Sequence, residues 1–314
     1  AHYVETDYWP HNTALYATDF HGNDVRFVFY KLDFTDFTRH NTGGAQQSLN
    51  RNFIAPILTQ LPPLPEQKRI AQVLGDVDAL IQKLEALIAK KRDIKQAAMQ
   101  ELLTGKRRLP GFSGPWETKK LGELGTFAKG TGIKKDDVGS GSIPCIRYGE
   151  IYTHHHDVVR RFNSFISEEV AKSAYCLQCD SILFAGSGET KEEIGKAIAF
   201  VHKTVAYAGG DIIVFKPNES CNVLTMGYLL NTPSCVKQKA SRGQGDAIVH
   251  ISVTALSLIQ LSLPEKKEQT AIAQVLSDMD NELAQLKTRL DKTRDLKAGL
   301  MQQLLTGKIR LGVV

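Results

Sequence analysis

No apolar run in the sequence approaches the roughly 20 residues that a membrane-spanning helix needs, and the N-terminal stretch Ala1-His2-Tyr3-Val4-Glu5-Thr6-Asp7 has neither the basic nor the apolar region of a secretory signal. A cytoplasmic location is therefore expected. Cysteine is scarce. Cys145, Cys176, Cys179, Cys221 and Cys235 are odd in number and irregularly spaced, which does not suit a disulfide framework, so reduced thiols are expected. Cys176-Leu-Gln-Cys179 has the spacing of half a zinc knuckle, but no second Cys/His pair stands at finger spacing, and Tyr175-Cys-Leu fits a buried apolar stretch. His154-His155-His156 reads as solvated histidines on a polar loop, so no metal is expected. A phosphate-cradling Gly-x4-Gly-Lys-Ser/Thr loop is also missing, as is the Asn/Asp-Pro-Pro-Tyr/Phe motif of an adenine-modifying enzyme. These gaps exclude a self-sufficient ATPase or methyl-transfer enzyme.

What is present is bulk and moderate positive charge. At 314 residues and 42% hydrophobic content the chain has material for at least two structural units. A net charge of +5 with a pI near 8.8 permits a nucleic-acid partner without establishing one.

The chain is most informative when compared with itself. Glu66-Gln67-Lys-Arg-Ile70-Ala71-Gln72-Val73-Leu74 returns 202 residues later as Glu268-Gln269-Thr-Ala-Ile272-Ala273-Gln274-Val275-Leu276. The same offset carries Asp78 to Asp280, Arg92-Asp93 to Arg294-Asp295, Lys95 to Lys297 and Leu102-Leu-Thr-Gly-Lys106 to Leu304-Leu-Thr-Gly-Lys308. About half of the aligned positions are identical, which marks a duplication. Each copy predicts one long helix with a seven-residue apolar period, the seam of a coiled coil. One row of the first copy is Ile70, Val77, Leu84 and Ala98, and the other is Leu74, Ile81, Ile88 and Leu102. The second copy repeats them as Ile272, Met279, Leu286 and Leu300, and as Leu276, Leu283, Leu290 and Leu304. Pro62-Pro63-Leu64-Pro65 and Leu263-Pro264 mark the starts, and Gly105 and Gly307 suit left-handed caps at the ends. A helix of about 38 residues would be roughly 57 Å long. The two seams can pack on each other within the chain, with Lys91 and Thr293 as polar interruptions that fix register. Pairing with a second chain is the alternative.

Between the copies, Pro110-Gly-Phe-Ser-Gly-Pro-Trp116 is a turn-rich linker, after which the periodicity becomes strand-like. Ile143–Tyr148, Ser181–Phe184, Ala197–Val201 and Asp211–Phe215 read as short strands, and Val223–Ala240 reads as a helix. The fold class expected is α+β: mixed α/β domains joined by two long helices. The divisions are 1–62, a partial first domain; 63–109, the first helix and spacer; 110–262, a complete second domain; and 263–314, the second helix and tail. The 202-residue relation also reaches back to Leu49-Asn50 and Ile251-Ser252, where Asn50 and Ser252 are candidate helix caps. Residues 1–62 thus resemble only the last part of what 110–262 contains in full.

Two copies of a Leu-Pro…Glu-Gln-x-x-Ile-Ala-x-Val-Leu-x-x-x-Asp helix ending in Leu-Leu-Thr-Gly-Lys, each preceded by α/β sequence, resemble the specificity subunit of type I restriction-modification systems. The resemblance covers the chain from Thr13 to Leu311. It implies target-recognition domains that each read half of a split DNA site, and a pair of helices that forms an antiparallel coiled coil, spaces them and docks other subunits. It implies no catalysis by this chain. The partners implied are double-stranded DNA, modification (methyltransferase) subunits and restriction (translocase/endonuclease) subunits. No cofactor is expected on this chain; S-adenosylmethionine, ATP and magnesium are expected on the partner subunits. The sequence departs from the family pattern in its incomplete first domain, whose Phe27, Phe29, Phe34 and Phe37 would lack their usual neighbours. A second copy of the chain covering them is a further candidate partner.

Loops that combine glycine with hydrogen-bond donors are the candidate DNA contacts: Lys129, Thr131, Lys134 and Lys135; Arg147 and Tyr148; Ser187 and Lys191; Ser241, Arg242 and Gln244. Arg and Gln can pair with guanine and adenine edges, whereas Lys mainly meets phosphate. Two competing readings are a magnesium nuclease built on Asp180, Glu189 and Lys191, and a homodimeric coiled-coil interaction protein with no DNA role.

Overall fold

The two copies of the repeat form two helices of identical length, Leu64–Leu102 and Lys266–Leu304, each 39 residues. Each ends at a glycine in the left-handed region, Gly105 at φ +70° and Gly307 at φ +73°, where a side chain would be strained. The computed structural model describes residues 1–9, 14–38, 41–42, 48–49, 51–245 and 248–312. Asn50, one of the two expected caps, lies outside the described residues. Residues 1–91 with 282–314 form one unit, and 92–281 form another.

The first unit contains α1 (Val25–Phe34), a two-stranded hairpin of β1 (Asn41–Thr42) and β2 (Ser48–Leu49), α2 (Arg51–Ile54) and the first part of α3 (Leu64–Leu102). The final part of the second repeat helix completes it. Lys91 bonds Glu282, Glu85 bonds Arg294, Asp78 bonds Lys297 and Glu66 bonds Arg310, so numbers fall on one helix as they rise on the other: the helices are antiparallel. Between them Leu84, Ile88, Leu283 and Leu290 are buried, with Ile81 and Leu286 half-buried beside them. Closer to the start of α3, Ile70, Ala71 and Leu74 pack with Phe27, Tyr30, Met301, Leu304 and Leu305.

The second unit follows the end of α3 with β3 (Glu117–Lys120), β4 (Gly125–Lys129), β5 (Ile143–Ile146), α4 (Tyr148–Thr153), β6 (Ser164–Ile166), α5 (Glu168–Ser173), β7 (Tyr175–Cys176), β8 (Ser181–Ala185), β9 (Ser187–Gly188), β10 (Ala197–Phe200), β11 (Tyr207–Ala208) and β12 (Ile212–Pro217). It then continues through α6 (Val223–Leu229), α7 (Pro233–Ala240), β13 (Val249–His250), α8 (Val253–Ser257), β14 (Gln260–Leu263) and the first part of α9 (Lys266–Leu304). One four-stranded antiparallel sheet has the order β10-β8-β12-β4, and another has the order β6-β5-β11-β7 with β5 and β11 parallel. β8 and β10 are buried on both faces because alternate residues serve two cores. Ile182, Phe184, Ala197 and Ala199 face a core that includes Leu121, Phe215, Met226, Ile272 and Leu276, while Leu183, Ala185, Ile198 and Phe200 face one with Ile146, Ile151 and Val214.

One set of anchoring contacts occurs in both units. In the second, the backbone N–H of Asn222, which caps α6, donates to Gln269 Oε1 at 2.8 Å; Tyr228 donates to Asp280 at 2.7 Å; Lys95 pairs with Asp280 at 2.7 Å and lies over the Tyr228 ring; and Arg108 clamps Glu268 with two bonds. In the first, the N–H of Asp24, which caps α1, donates to Gln67 Oε1 at 2.9 Å; Tyr30 donates to Asp78 at 2.8 Å; Lys297 pairs with Asp78 at 2.7 Å and lies over the Tyr30 ring; and Arg310 clamps Glu66. The short helix α1 is thus the counterpart of α6. Its offset is 198 residues and not 202, which hides the relation from an ungapped comparison.

Three sequence expectations are corrected. Val223–Ala240 is two helices, because Pro233 starts a new first turn and the Asn231 side chain leaves to bond Ala197 and Asp157. Cys176 is exposed on the edge strand β7, and it is the next residue, Leu177, that is buried. His155 is buried among polar groups and is not a solvated loop histidine.

Candidate nucleic-acid interface

The loops singled out in the second unit start from one rim. Strand pairing sets Lys129 opposite Ile213, Ala185 opposite Ile212, and Ile146 opposite Ala208, so β4, β5, β8 and β11 end where β12 begins. Backbone bonds tie the emerging loops together: Gly130 N–H to Ile212 O at 2.8 Å, Gly209 N–H to Ile146 O at 2.9 Å, Gly186 N–H to Asp211 O at 2.6 Å and Ile251 N–H to Gly186 O at 3.0 Å. Gly130 is required by this crowding, since a Cβ there would stand 2.0 Å from Gly209 O. β9 pairs with β13, and Gln244 bridges His250, which brings Ser187 and Gly188 beside Val249 and His250 and sets Gln244 next to them.

The rim does not present all the candidate residues equally. Lys129, Tyr148, Lys191 and Gln244 are exposed on it. Thr131 is exposed and donates to Ser173 O at 3.2 Å. Lys134 and Lys135 are exposed on a tight turn that leans on the β6–α5 connection, where Ser167 N–H donates to Ser140 Oγ and Gly139 N–H to Phe165 O. Ser241 and Arg242 both donate back to Gln238 O, closing the last turn of α7. Ser187 is buried, with its hydroxyl 2.9 Å from His250 Nδ1. That pair matches a hydrolase dyad in residue types alone: the hydroxyl is shielded, and no carboxylate orients the other ring nitrogen.

Several residues at the rim carry no sequence signal beyond their type. Tyr152 donates to Ser187 O at 3.0 Å and Glu193 O at 3.3 Å, tying α4 to the 187–193 loop, and burial pushes its pKa up. Lys196 donates to His155 O at 2.9 Å, and burial lowers its pKa. Beneath Arg147 lies a buried polar cluster. Glu150 Oε1 accepts from Ser164 and, at 3.3 Å, from Arg147 Nε, while Glu150 Oε2 stands 4.0 Å from His155 Nε2, and neither of those two atoms has a hydrogen-bond partner. Burial, with neighbouring cationic groups, holds the His155 pKa down to about 4. His155 N–H bonds Glu150 O locally at the end of α4, and tertiary packing brings Ser164 to Glu150.

The nuclease arrangement is not formed. Asp180 precedes β8 and Glu189 follows β9, so a full strand of about 17 Å separates them, too far for one metal ion. Among the described residues no group of three metal-ligating side chains occurs, and no helix is long and apolar enough to cross a membrane.

Within the second unit, an α/β domain with a donor-bearing rim packs against the first part of α9 through Ile272 and Leu276. The chain belongs to the type I restriction modification DNA specificity domain family, whose model matches residues 2–91 and 113–293. It is a specificity component, not a catalytic one. Among curated relatives it is 24% identical over 306 residues to the type I restriction enzyme MjaVIII specificity subunit of Methanocaldococcus jannaschii, covering 92% of this chain and 71% of that protein. It is also 24% identical over 287 residues to the putative type I restriction enzyme MjaX specificity subunit of the same organism, covering 85% of this chain and 62% of that protein. Among solved structures, the type I restriction-modification S subunit from M. genitalium matches in fold with a TM-score of 0.59 at 17% identity, covering 90% of this chain and 72% of that one. A chain from a structural study of complex assembly and conformational transition in the type I system matches with a TM-score of 0.50 at 16% identity, covering 90% and 69%.

Proposed function

We propose that the chain reads one half of a split DNA site with the rim of its 110–262 domain and docks modification subunits on its two long helices, in the cytoplasm. The observation that carries the reading is the rim itself: four strands end along one edge of the domain, and the end of β4 and the segments after β5 and β8 bring the exposed donors Lys129, Tyr148 and Lys191 to it. S-adenosylmethionine belongs to the modification subunits, and ATP and magnesium to restriction subunits that join them.

Docking on the helices is supported by comparing the two repeats. Buried positions are matched because packing requires it. Yet Gln72/Gln274, Asp76/Asp278, Arg92/Arg294, Asp93/Asp295, Gln100/Gln302 and Lys106/Lys308 are also identical while exposed in both copies. No residue exposed in both copies is matched across 79–89 and its counterpart 281–291. Gln72 bonds Asp76, Gln274 bonds Asp278 and Arg294 bonds Glu85, but the side chains of Asp93/Asp295, Gln100/Gln302 and Lys106/Lys308 make no such contact among the described residues, and their identity fits two equivalent surfaces that take the same partner twice.

The first unit supports a second partner mode. Leu32 and Phe34 of α1 are each 38% exposed, whereas Leu230, the counterpart of Leu32, is fully buried. A second copy of the chain is proposed to cover this face.

The test is to combine the chain with the modification subunit and S-adenosylmethionine and map methylated adenines on random-sequence duplex DNA. A reproducible short motif is expected. Failure to bind the modification subunit would overturn the docking role.

A further inference from the structure

Among the described residues, three arginines meet buried carboxylates, and one does so differently. Arg108 clamps Glu268 through Nε at 2.5 Å and Nη2 at 2.6 Å, and Arg310 clamps Glu66 through Nε at 2.8 Å and Nη2 at 2.7 Å. These forks use their donors to neutralise the acid. Arg147 bonds Glu150 through Nε alone, at 3.3 Å, although Glu150 Oε2 is buried and unpartnered. Its two Nη groups carry no bond, and its side chain is 35% exposed at the rim. Glu150 is fixed in turn: Ser164 donates to it, both residues are buried, and α4 and β6 hold them.

We propose that Arg147 reads a guanine of the half-site through its free Nη pair, and that Glu150 is the positioning residue that sets the guanidinium plane. This rests on the DNA-reading function proposed above. Guanine presents O6 and N7 in the major groove at the spacing of two guanidinium donors. The pairing favours a base over a phosphate. Glu150 offsets the charge of Arg147, which weakens a purely electrostatic contact, and leaves directed donors in a fixed plane, which base reading requires. A lysine at position 147 would supply charge but no plane.

The test is selection from a random-sequence duplex pool by the complex of this chain with the modification subunit, followed by binding to the selected duplex. The unchanged chain is expected to select a motif containing a guanine. Arg147→Gln is expected to lose preference at that one base pair and keep the others. Replacing that guanine by 7-deazaguanine should weaken the unchanged chain about 5- to 100-fold and leave Arg147→Gln unaffected. Glu150→Ala should blur the same position, with partial rescue by Glu150→Gln. If Glu150→Ala does not fold, the Arg147→Gln and 7-deazaguanine results still decide the assignment of Arg147, and Glu150→Gln decides the positioning role. Uniform weakening of all sequences by Arg147→Gln, with the salt slope reduced by about one, would identify a phosphate contact and overturn the proposal. A motif without guanine overturns it alone, and no motif at all overturns the DNA-reading function together with it.

Discussion

His155 is the residue at which stability should respond most directly to pH. Its imidazole is buried near Lys196, Arg161 and two further histidines, and takes a proton only near pH 4, against about 6.5 in the unfolded chain. Between these values the unfolded state binds more protons, so stability falls as pH drops from 6.5 towards 4. The loss should reach about 2 kcal/mol at pH 5. Denaturant unfolding at pH 7 and pH 5 should show it, and His155→Gln should flatten the difference. An unchanged acid slope in that variant would assign the effect elsewhere. Tyr228 offers a second test: Tyr228→Phe removes the bond to Asp280 but leaves Lys95 on the carboxylate, so a loss of about 1 kcal/mol is expected. Tyr30→Phe removes the matching bond to Asp78, and equal effects would show that the two anchors are energetically equivalent.

Among the elements, the helix pair depends on its apolar seam. Leu84 is buried with Ile88, Leu283 and Leu290, so Leu84→Ala should destabilise the first unit by about 2–5 kcal/mol, measured by denaturant unfolding. Leu87 lies on the same helix but is 38% exposed, and Leu87→Ala should stay within about 0.5 kcal/mol. Surface ion pairs such as Glu85–Arg294 add little by themselves and set register more than stability. The loop elements obey a steric rule. Gly130→Ala would drive a Cβ into Gly209 O, so that variant should misplace the Lys129–Thr131 loop and weaken DNA binding while the helix pair remains folded, as helical circular dichroism would report.

For the whole molecule, the matched exposed residues make a stoichiometric prediction. Gln72→Ala with Asp76→Lys alters the patch of the first unit, and Gln274→Ala with Asp278→Lys that of the second. Under the proposed function, native mass spectrometry with the modification subunit should show one copy lost for either pair of substitutions and two lost for both. Full occupancy in the combined variant would place docking on another surface.

The two long helices were legible because their physics is local and repeated. A seven-residue apolar period, entry prolines and terminal glycines act along the chain, and duplication wrote each signal twice, so Ile70, Leu74, Ile272 and Leu276 could be placed before any fold was known. The rim was only partly legible. Glycine and donor residues marked its loops, but the sequence could not show that Ser187 is buried, that Arg242 folds back onto α7, or that Ser164 holds Glu150 beneath Arg147. It also hid the kinship of α1 with α6, because the matching offset shifts by four residues between helix cap and coiled coil. The sequence by itself determined the two long helices, their apolar period and the family. Only the tertiary structure decided which donors stay free at the rim and which are spent internally, because that depends on contacts such as Glu150–Ser164 and Ser187–His250, made between segments whose spacing along the chain carries no periodic signal.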